Sequence, residues 1–262
     1  MDERILAIPD EEREEQPMLS DRTIPDRRSA QGAIEKFSSE GIEAVERAVL
    51  TRRSVRGFSP DPVPVPLLDR VFALAQSTPS NCNVQPWRTY VASGAARNRL
   101  QTALLRAASE GVPGNPDFER GAKFTGVYRE LQMECALTLY SEMNVSRDDR
   151  SGRVRASLRN YELFDAPHVA FIGMSKDFGT TVALDVGMYV QTLMLLMTAH
   201  GIASCPMGSL RHHPDIVCEE FDVPEDIGIL CGICFGYEDA AVPANRTRTT
   251  RARVSDNVRF RE

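Results

Sequence analysis

Between Val182 and Met197 the chain is apolar almost without pause. On a helix, Val182, Leu184, Val186, Met188, Val190, Leu193, Met194 and Leu196 would cover every face, whereas a helix with one wet side shows a stripe. Such a segment has to be covered all round. It is not read as a membrane span, because Asp185, Gly187 and Gln191 interrupt it and a span needs ~20 apolar residues. Val182–His200 therefore reads as a buried helix, either inside one subunit or at an interface between two. A chain of 262 residues can enclose it without disulfide staples. With 42% hydrophobic and 26% charged residues, the chain falls in the ordinary globular class.

Around that helix the chain divides into an arm, residues 1–40, and one domain, residues 41–262. The arm is polar, interrupted by proline and weakly periodic. From Ile42 an amphipathic helix begins, with Ile42, Val45, Val49 and Leu50 on one face. Pro66 suits the first turn of a second helix reaching Gln76. A strand is expected over Trp87–Ala92, and helices over Ala95–Ser109, Gly126–Met143 and Arg147–Asn160. Beyond them come a strand His168–Gly173, the apolar helix, a strand near Ala203, a helix Pro214–Glu220 and a strand Ile227–Phe235. Helices and short strands mix without regular alternation, so the expected class is α+β with one central sheet.

Charge separates along the chain. Residues 1–20 carry seven acids against two arginines, and residues 246–262 carry six arginines against two acids. The net charge of −6 argues against nucleic acid as a partner. The basic tail suggests a local anion site or a solvated face. The N-terminus lacks the pattern of a targeting peptide. With six cysteines and no secretory signal, free thiols and a cytoplasmic location are expected.

Four stretches can carry chemistry. Arg52-Arg53-Ser54-Val55-Arg56 places three guanidinium forks near a helix end, where they match phosphate oxygens or form a solvated basic terminus. The loop Pro79–Pro86 offers Asn81, Asn83 and Gln85, whose amides both donate and accept, as a heterocycle edge or sugar chain requires; turns use the same residues. The alternation of Asn83 and Gln85 before Trp87 suggests side chains presented from an extended segment. Ser204-Cys205-Pro206-Met207-Gly208-Ser209 reads as a turn whose backbone can approach a flat ligand, or as a plain connection. Asn245-Arg246-Thr247-Arg248-Thr249-Thr250-Arg251 lies in the basic tail.

Taken together and in this order, the four stretches resemble the FMN-dependent nitroreductase family from about Ile42 to the C-terminus. The resemblance implies a central mixed or antiparallel sheet flanked by helices, in an intertwined homodimer. It assigns Arg52, Arg53, Ser54, Arg56, Arg251 and, less directly, Arg248 to the FMN phosphate and ribityl chain. Pro79, Ser80, Asn83 and Gln85 would contact the flavin, reaching FMN held by Arg52 of the other subunit. Pro206, Met207 and Gly208 would lie beside the ring, with Met207 where some members carry an acid. The implied reaction is ping-pong: NADH or NADPH reduces FMN, the oxidised nicotinamide leaves, and a nitroaromatic or quinone takes the nicotinamide's place and is reduced by electron pairs. The flavin supplies the redox chemistry, so no side chain is nominated as catalytic and no metal is expected. In Gly111–Tyr128, Phe118, Phe124 and Tyr128 would cover an acceptor pocket or pack the core.

Other features point elsewhere. Cys231-Gly-Ile-Cys234 has redox-motif spacing but lies within a strand-like run, so core thiols are expected. His168, His200, His212 and His213 show no metal spacing, and no Gly-x-Gly-x-x-Gly follows a strand. The competing readings are a reductive dehalogenase, a substrate-oxidising or flavin-consuming enzyme on the same fold, and a non-enzymatic flavin store or sensor.

Overall fold

A computed structural model describes residues 36–119, Gly121 and 123–262. The expected arm falls almost wholly on residues 1–35, outside the described ones. The helices are α1 (Ser39–Thr51), α2 (Val65–Ala75), α3 (Gly94–Ser109), α4 (Gly126–Glu142), α5 (Arg150–Leu158), α6 (Thr180–Ala199), α7 (Pro214–Phe221) and a short α8 (Val254–Asn257). The strands are β1 (Arg88–Ser93), β2 (His168–Ser175), β3 (Ala203–Met207) and β4 (Ile227–Gly236). They form one sheet in the order β1-β2-β4-β3, every pair antiparallel.

Local chemistry sets the element ends. The Ser38 hydroxyl accepts from the Gly41 amide at the start of α1. α5 starts at Arg150 rather than Arg147 because Asp149 caps it, accepting from the Gly152 amide at 2.7 Å. Pro66 occupies the first turn of α2, as expected.

Helices cover both faces of the sheet. Along β2, Val169 and Phe171 pack with Leu100 and Leu104 of α3 and Val217 of α7. Ala170, Ile172 and Met174 pack on the other face with Val71 of α2 and Val186, Tyr189, Leu193 and Met197 of α6. That two-residue alternation with apolar side chains on both faces explains why β2 reads as a continuous hydrophobic run. Each fully buried aliphatic or aromatic side chain contributes about 1.5–3 kcal/mol. Cys231 and Cys234 lie on β4, as expected of core thiols; burial pushes the Cys231 thiol up to about 12 and Cys234 well above its ordinary value.

The apolar helix is buried on one side only within the single chain. α6 is long and apolar enough to cross a membrane by length and composition, a test that core helices also pass. One face enters the core, but Leu184 is 66% exposed and Met188 also lies open. α1, which packs against α6, buries none of its residues; Val45, Val49 and Leu50 are exposed. Val45, Val49 and Leu50 of the apolar α1 stripe thus add to the exposed apolar surface.

Candidate cofactor site

The Arg52–Arg56 segment leaves α1 and runs beside the edge strand β3. Ser54 bridges Ser204 in parallel, and the Val55 amide donates to the Ser204 carbonyl at 3.1 Å. Val55 is buried in the core, and the pairing holds the arginines around it in a fixed frame. The three guanidiniums have different fates. Arg53 forms a charge-assisted pair with Glu238, just beyond β4, so its charge is already partnered. Arg52 and Arg56 have no carboxylate partner among the described residues. Both pull the nearby Cys205 thiol downward, although burial, the larger effect, raises it.

The C-terminal stretch joins this segment through Asn245, which the sequence reading quoted but did not nominate. Its side-chain oxygen accepts from the Arg56 amide at 2.7 Å; its amide group donates to the Gly57 and Asp239 carbonyls, each at 2.8 Å. Its own carbonyl accepts from Arg248 at 2.8 Å. Asn245 is buried, and one side chain thus uses both amide functions to join two segments far apart in sequence. Arg251 lies elsewhere. Its guanidinium folds onto Thr249 and Thr250, while Thr250 bonds Glu134 of α4 and Arg246 pairs with Glu142. No described contact brings Arg251 to Arg52 or Arg56.

Gly57 packs so tightly that a Cβ there would lie 2.5 Å from three carbons of the Val242 side chain. Gly57→Ala is expected to destabilise the protein by about 1–3 kcal/mol. Val242→Gly in the same chain should recover part of that loss in urea denaturation, because the two residues share one contact. Additive losses would show that the contact is not the cause.

The Ser204–Ser209 stretch corrects the sequence reading. Pro206 and Met207 belong to β3, not to a turn, and proline is tolerated there because β3 is an edge strand. The Met207 side chain is buried with its sulfur 3.2 Å from the Cys234 sulfur, so only its backbone can meet a ligand. Gly208 begins the turn. Among the described residues, nothing beyond its chain neighbours lies within 4 Å of where its Cβ would be, and the neighbouring Ser209 hydroxyl is buried without a partner.

The Pro79–Pro86 loop is not extended either. Asn81–Asn83 form a single 3-10 turn, and Cys82, Asn83 and Gln85 have φ of 47°, 55° and 46°. Three non-glycine residues in the left-handed region require support. The Ser80 hydroxyl accepts from the Gln85 amide at 3.0 Å, and the Gln85 side chain donates to the Asn83 carbonyl at 3.2 Å. Asp185 of α6 accepts from the Asn81 amide at 3.1 Å. Beyond the loop, Trp87 stacks on Tyr189 at 4.9 Å and its indole N–H donates to Gln76 at 2.8 Å. The Asn83 and Gln85 side chains, and Pro79, remain exposed at the surface.

The nominated aromatics separate. Phe118 packs on the α2/α6 side of the core, whereas Phe124 and Tyr128 are exposed at the start of α4 and line no described cavity. A cavity of about 390 Å³ lies between α4, α5 and residues 242–244, with Arg56, Tyr140, Asn160 and Phe164 in its walls.

The donor set fits a phosphorylated planar cofactor. Among the described residues it combines two guanidiniums without a carboxylate partner, open space at a glycine backbone and a buried hydroxyl without a partner. The chain is 41% identical over 219 residues to the nitroreductase NfnB of Mycolicibacterium smegmatis, covering 83% of this chain and 93% of that protein. It is 32% identical over 229 residues to a 4-nitrobenzoate reductase of a Nocardioides species, covering 84% and 90%. The crystal structure of the FMN-dependent nitroreductase NfnB from Mycobacterium smegmatis in complex with NADPH superimposes with a TM-score of 0.81 at 40% identity, covering 84% of this chain and 99% of that one. Residues 49–237 match the description Nitroreductase family, and the chain belongs to that family.

Proposed function

We propose that the chain is an FMN-dependent nitroreductase that oxidises NADPH or NADH and reduces a small nitroaromatic or quinone. The observation that carries this reading is the pair Arg52 and Arg56, without a carboxylate partner among the described residues, on the segment that Asn245 joins to Arg248. Similarity to an FMN-dependent enzyme crystallised with NADPH, and to a 4-nitrobenzoate reductase, supports it.

The chemistry supplied by FMN when bound is hydride uptake from a nicotinamide and delivery of electron pairs to an acceptor. Arg52, Arg56 and Arg248 would neutralise the phosphate end and the Ser54 hydroxyl would hydrogen-bond to it, while Arg53 holds the segment to Glu238. Gly208, whose Cβ position is open, would let its backbone approach the ring, and Pro206 and the Met207 backbone precede it on the same stretch. Asn83 and Gln85 serve the site from a second copy of the chain, and Arg251 reaches the phosphate only if the tail meets that copy. The exposed apolar faces of α1 and α6 form the homodimer interface. Six free thiols suit a reducing cytoplasm.

The test is anaerobic reduction of the purified yellow protein by each nicotinamide, followed by reoxidation with nitroaromatic, quinone and haloaromatic acceptors. Rapid reoxidation by the first two supports the reading. Reoxidation by a haloaromatic alone would shift it to dehalogenation, and no reduction would shift it to flavin storage. Arg52→Ala should weaken FMN binding roughly ten- to a hundredfold, the value of one charge-assisted bond to phosphate. Arg4→Ala should leave it unchanged, and equal affinity in the two variants would remove Arg52 from the site.

A further inference from the structure

We infer that Asp185 is a positioning residue for the flavin-side loop, setting the conformation in which Asn83 and Gln85 are presented; this rests on the loop's proposed place in the FMN site. Asp185 stands in the middle of an apolar helix and is 5% exposed, and a carboxylate is costly to keep there. The core has no evident use for it. Its carboxylate instead accepts from the amide of Asn81, the first residue of the loop's tight turn.

That amide is where an external hold has most effect. Ser80 before it is extended, with φ −148° and ψ 158°, and Cys82 and Asn83 after it are both left-handed. The chain therefore reverses character at Asn81. Left-handed backbone is unfavourable for residues other than glycine, and more so for Cys82 than for Asn83, so the loop on its own favours other conformations. The Ser80 and Gln85 contacts are internal and move with the loop. Asp185 is different, because it ties the turn to α6, whose Tyr189 one helical turn later also stacks on Trp87 at the loop's exit. Entry and exit are thereby fixed to one rigid helix. The exposed side chains between them are held in register with the core.

The test compares Asp185→Asn, Asp185→Leu and Asn81→Pro in the full chain. Asparagine keeps an accepting oxygen, leucine removes it, and proline removes the donor at a turn position that follows an extended residue. Two readouts are taken: hydrogen exchange of the flavin-free protein, and FMN affinity. Asp185→Leu and Asn81→Pro should raise exchange in residues 82–85 while α6 stays protected, and should each weaken FMN roughly tenfold. The double variant should be no worse than either alone, and Asp185→Asn should recover most of the affinity. Unchanged loop exchange in Asp185→Leu would overturn the inference, as would additive losses in the double variant. If wild-type protein binds no FMN, the proposed function fails, and loop exchange still decides the role of Asp185.

Discussion

Leu184→Glu is expected to yield a folded monomer that has lost its flavin. In the single chain Leu184 is 66% exposed, so a glutamate there removes no core contact and the subunit should keep its fold. Met188, one turn further along the same helix, and Val45 and Val49 on the adjoining α1 are exposed as well. A patch of this kind on two packed helices fits an interface rather than a wet surface. Placing a carboxylate in the centre of such an interface leaves a buried charge unpaired and opposes association. The effect on flavin follows from the position of the loop: Asn83 and Gln85 are exposed and would serve the partner's site. Losing the contacts of a whole loop should lower FMN affinity at least a hundredfold, more than any single arginine replacement. Light scattering and flavin fluorescence, measured together, check this. A flavin-loaded monomer would remove both the interface and the shared site.

The same surface shows why the sequence was readable only in part. The periodic segments were legible because their cause is local: α2, α3, α4, β2, β4 and α6 lie close to where the apolar pattern puts them. What α6 and α1 pack against was not legible, because a pattern records that a face is apolar and not which chain covers it. Pro206 suggested a turn, yet on an edge strand its missing N–H costs nothing, and edge position is a property of the whole sheet. Cys82 and Gln85 take left-handed conformations that their types rarely adopt, so local preference pointed to an extended loop. The supporting bond comes from Asp185, 104 positions away. Arg52 and Arg53 are identical neighbours, and only Glu238, contributed from beyond β4, marks Arg53 as the partnered one. Asn245 was hidden for the same reason, since its partner amide on Arg56 lies 189 positions earlier. The candidate binding groups were visible as types; the residues that hold them were not.

Acid should destabilise the fold through His168, the first residue of β2. Its ring is buried, stacked on Phe235 at 5.2 Å, and bonded at both nitrogens. Nε2 accepts from the Val63 amide at 2.9 Å, so the ring must be neutral with its proton on Nδ1, 2.5 Å from the Ser93 hydroxyl oxygen. A second proton would convert the acceptor into a donor facing a donor, and would place a charge in an apolar layer. Burial accordingly lowers the His168 pKa to about 4, against 6.5 for a free histidine. Above pH 6.5 both folded and unfolded chains are neutral at this site and the fold carries no penalty. As pH falls from 6.5 towards 4 the unfolded chain takes the proton first, so stability declines across that window by a total of the order of 3 kcal/mol. His168→Gln keeps a side-chain oxygen able to accept from Val63 and removes the titration. The variant should be somewhat less stable than wild type at pH 7.5, and the gap should close or reverse by pH 4.5. Urea denaturation at several pH values measures the difference directly, and carboxylates common to both proteins cancel. Parallel curves for the two proteins would show that the buried imidazole does not set the acid limit of this fold.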